Sequence, residues 1–160
     1  MLDRPCPDCE FDARRYPPRQ TGPAVRATVP RWQRVLAEPE ASRRRAAAVW
    51  SPVEYGCHVR DVCTVFADRL AQMLAADGAR FANWDQDATA VEKRYWTADP
   101  TRVAAEYAAA ASALADGFDA VPDTGWQHRG IRSNGSQFTV ETFAGYLLHD
   151  LVHHLYDVRG

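Results

Sequence analysis

Ser51-Pro52-Val53-Glu54 marks the beginning of a helix. A serine at this boundary accepts a hydrogen bond from the first turn, and a proline just inside it already has helical φ. Glu54, three residues after the serine, can reach back to the serine N–H. Behind this start, Tyr55, Val59, Val62, Phe66, Leu70 and Met73 recur every three or four residues until Gly78 supplies a stop. A helix of that length with one apolar stripe has to bury the stripe against other elements, so it dictates a layered, mainly helical fold.

Three further stretches offer partners. Val25, Thr28/Val29, Trp32 and Val35/Leu36 predict a helix over 21 to about 37, with a kink or a later start at Pro30, whose ring and missing N–H disrupt a helix interior. Asp99-Pro100 caps an alanine-rich helix from 101 to about 116, and the alanines permit close packing. Thr139 caps the last helix, with Glu141 complementing its dipole. Residues 79–98 and 117–138 lack a period, and the stretch around Arg129 to Ser136 has the chemistry of a β-turn or short hairpin. No convincing strand is read, and both connections exceed the usual bundle loop of about 2–8 residues. The expected fold is all-α: a four-helix bundle with long crossover loops over 21–160, preceded by an irregular proline-rich N-terminal arm over 1–20.

At 160 residues, one well-buried domain is expected. The net charge is only -2, and the 19 basic residues are scattered, so a nucleic-acid partner is not expected; the run Arg43 to Arg45 reads as a solvated turn. No uninterrupted apolar run approaches the length of a membrane span, and the N-terminus lacks the apolar core of a signal peptide. The expected compartment is therefore the cytoplasm, where cysteines stay reduced. There Cys6-Pro-Asp-Cys9 reads as a redox pair or an inert turn. It is also half of a zinc knuckle, which Cys57 and Cys63 would complete only if the arm folded back onto their helix.

Three of the five histidines fall between His149 and His154. On a helix, residues four apart share a face, which gives two candidate pairs, His149 with His153 and Asp150 with His154. At about 100° per residue, Val140, Ala144, Leu147, Leu148, Leu151, Leu155 and Val158 form one arc. His154 lies on its flank with Asp150 a little further round, whereas His149 and His153 sit nearly opposite, so Asp150/His154 is the better inward pair. The ordinary alternative for such a histidine is a hydrogen-bonded structural role. His58, in the second turn of the helix begun at Ser51, can meet this pair if the two helices pack with those ends together.

Trp50-Ser51-x-x-Glu54-Tyr55-x-x-His58, followed by a histidine-rich last helix ending His153-His154-x-x-Asp157, resembles the DinB-like superfamily, which includes mycothiol-dependent maleylpyruvate isomerases and other thiol-dependent S-transferases. The resemblance covers roughly residues 21–160. It implies a four-helix bundle that binds a divalent metal, commonly zinc or nickel, through one histidine of the second helix and two residues four apart on the fourth. Matched residue by residue, these are His58, Asp150 and His154, with His149/His153 as the alternative register. Aspartate at 150 departs from the family's His or Glu and is shorter than Glu.

Three protein ligands leave coordination positions open, as catalysis requires. The function implied is activation of a low-molecular-weight thiol such as mycothiol for transfer to, or isomerisation of, a small electrophilic substrate. Asp157 and Asp61 are each placed either to orient an imidazole or to be solvated acids, and Arg132 either to pair with a substrate carboxylate or to lie on the surface. The other classes consistent with the sequence are a stress-associated, non-catalytic bundle acting as a homodimeric binding module, and a hydrolase using metal-activated water.

Overall fold

The computed structural model describes residues 4–160, so residues 1–3 of the arm lie outside the described part. In chain order the regular elements are α1 (Thr21–Ala37), α2 (Pro52–Ala75), β1 (Ala79–Phe81), α3 (Gln86–Glu92), α4 (Pro100–Asp119), β2 (Arg129–Arg132), β3 (Gln137–Thr139) and α5 (Val140–Asp157). Among the described residues no helix is long and apolar enough to cross a membrane.

The four long helices form the expected bundle. α4 packs between α1 and α2, and α5 closes the ring against the same two helices, so the steps from α1 to α2 and from α4 to α5 cross the bundle. The α1–α4 approach is close because Gly22 has no side chain: a Cβ there would lie 3.0 Å from the Ala115 carbonyl oxygen and would clash with the Asp119 carboxylate. Ala111 and Ala115 on the facing side of α4 are fully buried. α5 contributes Leu147, Leu148, Leu151 and Leu155 to the core. At roughly 1.5–3 kcal/mol each, these leucines outweigh the modest helix propensity of the histidines between them.

α2 starts where Ser51 and Pro52 place it. The Glu54 carboxylate accepts from the Ser51 N–H at 2.8 Å and from the Ser51 hydroxyl at 2.7 Å, and it also receives the guanidinium of Arg44. Burial alone would raise the Glu54 carboxyl, but these hydrogen bonds outweigh it and hold the group below the usual range. The basic run is thus more than a solvated turn, since Arg44 ties the loop before α2 to the helix start.

Three expectations need correction. α1 runs unbroken through Pro30, which lies on the exposed face, while Val25, Thr28, Trp32 and Leu36 are buried on the other. The burial of that face outweighs one missing backbone bond. Second, short strands are present, ordered β1-β2-β3. β2 and β3 form the hairpin suggested by the turn chemistry, with Gly135 at φ 84°, and β1 pairs in parallel with β2 through Ala79–Gly130, Arg80–Ile131 and Phe81–Arg132. Gly130 is required there, because a Cβ would meet the Phe81 ring at 2.6 Å. Third, the 79–98 connection is ordered: it holds β1, α3 capped by Asp85, and a 3-10 turn over Tyr95–Thr97.

Candidate metal centre

The start of α2 and the last turns of α5 meet at one end of the bundle. His58 projects from the second turn of α2 into a fully buried position, stacked on Trp84 with ring centres 5.7 Å apart and planes 6° from parallel, and tilted against Trp50 at 5.6 Å. Asp150 and His154 come from one face of α5. His58 Nε2 lies 3.6 Å from Asp150 Oδ2, and His154 Nε2 lies 3.8 Å from Asp150 Oδ1. The two imidazoles meet edge to face with centres 4.8 Å apart. Asp150, although shorter than glutamate, therefore reaches between both histidines.

These separations exceed hydrogen bonds, and the orphaned atoms identify what the group lacks. Both ring nitrogens of His58 and Oδ2 of Asp150 are buried without a hydrogen-bond partner. Unpaired buried polar atoms of this kind are costly, and three of them converge here. One donor atom from each of the three residues lies within 4.8 Å of the others. A divalent ion with ligands at roughly 2.0–2.2 Å would satisfy them after small side-chain movements, and a two-imidazole, one-carboxylate set suits such an ion.

The electrostatics favour the ligating protonation states. Burial would raise the Asp150 carboxyl, but His58 and His154 hold it below its usual value. Burial pushes the His154 imidazole below its usual value, against the pull of Asp150 and Asp157. The His154 Nδ1–H donates to Asp157 Oδ2 at 2.8 Å, which turns the Nε2 lone pair toward Asp150. Asp61, the other candidate for orienting an imidazole, does not serve His58. It accepts instead from Arg60 Nε at 2.9 Å, Lys93 Nζ at 2.8 Å and the Tyr95 hydroxyl at 2.5 Å. Two cations and a phenol hold that carboxylate more firmly than one neutral ring could.

Two cavities open onto Asp150. A narrow one of about 80 Å3 is lined by His58 and Trp84, by Arg69 of α2, and by Phe81, Arg132 and Phe138 of the three strands. A wider cleft of about 550 Å3 shares Gln86, Tyr146 and Asp150 with it and is lined further by His154 and the first described residues of the arm. Arg132 points its Nη2 at Asn83 Oδ1, 3.1 Å away, while its Nε is buried without a partner. Arg69 donates to the Ala82 carbonyl at 3.0 Å and lies over the Phe81 ring at 4.8 Å. Burial, and then the neighbouring Arg132 charge, pull the Arg69 guanidinium below its usual value. Sequence reasoning missed Arg69 and Trp84. Arg69 carried a signal, a cation three residues after Phe66 on the buried stripe of α2, whereas Trp84 lies in an aperiodic connection and carried none.

His149 and His153, the alternative register, do not reach His58; they face the arm, against Cys6 and Cys9. The Cys6 thiol is drawn down to about 6 by the Cys9 N–H first and by His149 next. Cys57 and Cys63 are buried in the core, where burial pushes their thiols up to about 11 and about 12. They lie on α2, away from the arm's landing place on α5, so the four-cysteine arrangement does not form.

A crossover four-helix bundle with inward-facing His, Asp and His on two adjoining helices is the architecture of metal-binding helical bundles. The chain belongs to the DinB superfamily, whose family model matches residues 8–158. Among solved structures it is similar to YfiT from Bacillus subtilis, described as a probable metal-dependent hydrolase with an unusual four-helix bundle topology. That match has 16% identity and a TM-score of 0.73, covering 89% of this chain and 82% of the other. It is also similar to the mycothiol-dependent maleylpyruvate isomerase, at 10% identity and a TM-score of 0.71, covering 91% of this chain and 62% of that one. This chain thus spans less than two thirds of the isomerase. No curated protein matches.

Proposed function

We propose that the protein is a divalent-metal-dependent enzyme that joins a low-molecular-weight thiol, such as mycothiol, to a small electrophile bearing a carboxylate, or isomerises that electrophile through the thiol. His58, Asp150 and His154 would hold the ion, zinc or nickel. The chemistry such an ion supplies is Lewis acidity, which brings the pKa of a coordinated thiol or water near neutrality.

The protein's own groups do the rest. Asp157 keeps His154 in the ligating tautomer. Trp84 and Trp50 hold the His58 ring and exclude water from it. Arg132 and Arg69 bring two guanidiniums to the narrow cavity, and among the described residues neither pairs with a carboxylate. An anion there would relieve their mutual repulsion, and a planar carboxylate matches the guanidinium fork.

The observation that carries this reading is that Asp150 lines two cavities of unequal size. The narrow one, about 80 Å3, holds the equivalent of two or three waters at ~30 Å3 each, enough for the carboxylate end of a small molecule. A second reactant as large as a thiol cofactor has room only in the cleft of about 550 Å3. Hydrolysis needs only water beside the substrate, which leaves the larger cleft without a role.

The test is turnover of a panel of carboxylate-bearing electrophiles by metal-loaded protein, with and without added thiols. Product that forms only with thiol supports the proposal, and Arg132→Gln should then raise KM at least tenfold while changing kcat less. Turnover without thiol assigns a hydrolase instead. A preparation that holds no divalent ion, or whose divalent-ion content per chain is the same in His58→Ala and His154→Ala as in the wild type, removes the enzymatic reading.

A further inference from the structure

The arm and the outer face of α5 assemble a second group of donors that the DinB-type centre does not use. Cys6 and Cys9 present their thiols from a turn at the start of the described chain, and His149 and His153 present their rings one helical turn apart on α5. One donor atom from each of the four lies within 4.8 Å of the others. Cys6 Sγ is 3.6 Å from His153 Nδ1. The Nε2 of His149 is buried and has no hydrogen-bond partner.

We infer that Cys6, Cys9, His149 and His153 form a second metal site, a closed Cys2His2 zinc centre that clamps the N-terminal arm onto α5. The spacing is the first support. C-x2-C on a turn with H-x3-H on a helix is the ligand pattern of structural zinc sites. Geometry is the second. Zinc with Zn–S about 2.3 Å and Zn–N about 2.0 Å places tetrahedral ligand atoms roughly 3.3–3.8 Å apart, so the four donors need to close by about an ångström. Supporting interactions are the third. The turn that carries both thiols is closed by its own backbone, the Cys6 N–H donating to the Phe11 carbonyl at 2.9 Å and the Glu10 N–H to the Cys6 carbonyl at 3.0 Å. On the far side of His153, Nε2 lies 3.7 Å from Asp157 Oδ1, the carboxylate whose other oxygen holds His154.

The two centres differ in chemistry. Two thiolates and two neutral imidazoles cancel the charge of Zn2+ and fill its four positions, so this centre is structural; any proton still carried by either thiol goes to solvent when the ion binds. The ordering has a consequence for the neighbouring site, because Pro5, Cys6 and Pro7 form one wall of the cleft that also holds Asp150 and His154. The clamp fixes that wall. The ordinary thermodynamic cost of ordering an arm with little apolar surface is met here by ligation, with Phe11 packed against His149 at 5.8 Å and stacked on Tyr16 at 5.0 Å.

The experiment uses the full chain, purified under reducing conditions, as wild type, Cys6→Ser/Cys9→Ser and His58→Ala/His154→Ala. Zinc per chain is measured by elemental analysis, and the metal-free proteins are titrated with cobalt(II). The expected result is two zinc ions in the wild type and one in each variant. The near-ultraviolet thiolate-to-cobalt band should be present in the wild type and in His58→Ala/His154→Ala, and absent from Cys6→Ser/Cys9→Ser. A single ion lost only in the cysteine variant still supports the clamp while sinking the catalytic reading. A wild type without the thiolate band, or zinc content that the cysteine variant leaves unchanged, overturns the clamp. A check that does not depend on folding of the cysteine variant is trypsin sensitivity of the arm in His58→Ala/His154→Ala. Zinc should slow cleavage there at least tenfold relative to chelator-treated protein, and equal rates overturn the proposal.

Discussion

Replacing Asp61 with alanine should destabilise the fold by about 3–4 kcal/mol, although the residue touches neither His58 nor any cavity. The residue is 5% exposed, and its carboxylate accepts from Arg60, Lys93 and the Tyr95 hydroxyl. Arg60 keeps its second partner, Glu106, at 2.6 Å, and Lys93 can turn to solvent. Tyr95 has neither escape, because it is 1% exposed. Its orphaned hydroxyl accounts for roughly 1–3 kcal/mol of the loss, with the half-buried Arg60 charge supplying the rest. At ~2.1 cal/mol/K per residue, a chain of 160 residues has an unfolding entropy near ~340 cal/mol/K, so the expected drop in Tm is about 9–12 °C. Scanning calorimetry of metal-free protein reads it. The double variant Asp61→Ala/Tyr95→Phe, which removes the orphaned hydroxyl as well, should recover about 1–2 kcal/mol. A drop below about 3 °C, or a double variant no more stable than the single one, would refute the reasoning.

Two further outcomes follow from the site. Asp157→Ala should weaken zinc binding at His58/Asp150/His154 by 10–100-fold, about 1.4–2.7 kcal/mol, measured by chelator competition in the Cys6→Ser/Cys9→Ser background so that one site is read; unchanged affinity would show that Asp157 does not orient His154. Because burial holds the His154 imidazole below its usual value, the unfolded chain binds a proton that the folded chain rejects. Stability of the metal-free protein should therefore fall as pH drops from about 6.5 through the lower folded value, and urea midpoints for His154→Gln should lack that slope; matching slopes would contradict it.

What could be read from the sequence was what local chemistry decides. Ser51, Pro52 and Glu54 fix a helix start because their bonds lie within one turn, and the angular step along α5 separates Asp150/His154 from His149/His153 whatever the helix packs against. β1 escaped because three residues give no alternation to detect and its parallel partner lies in a different connection. The histidines at 149 and 153 could be seen as a pair, and so could the cysteines at 6 and 9. Their meeting depends on where an arm without periodicity comes to rest, which no local pattern encodes. Asp61 stood at the right spacing from His58, yet besides its neighbour Arg60 its partners Lys93 and Tyr95 arrive from the turns that follow α3, outside the reach of a helical wheel.

β1 belongs to the connection between α2 and α4, and β2 and β3 to the one between α4 and α5. Pairing of Phe81 with Arg132 joins these two loops into one sheet beside the narrow cavity, so Phe81, Arg132 and Phe138 should shift together. Amides in all three strands should exchange with a single opening free energy. Remodelling that cavity for a bulkier substrate would require matched changes in both loops, so substrate range in this architecture changes in coordinated pairs of substitutions.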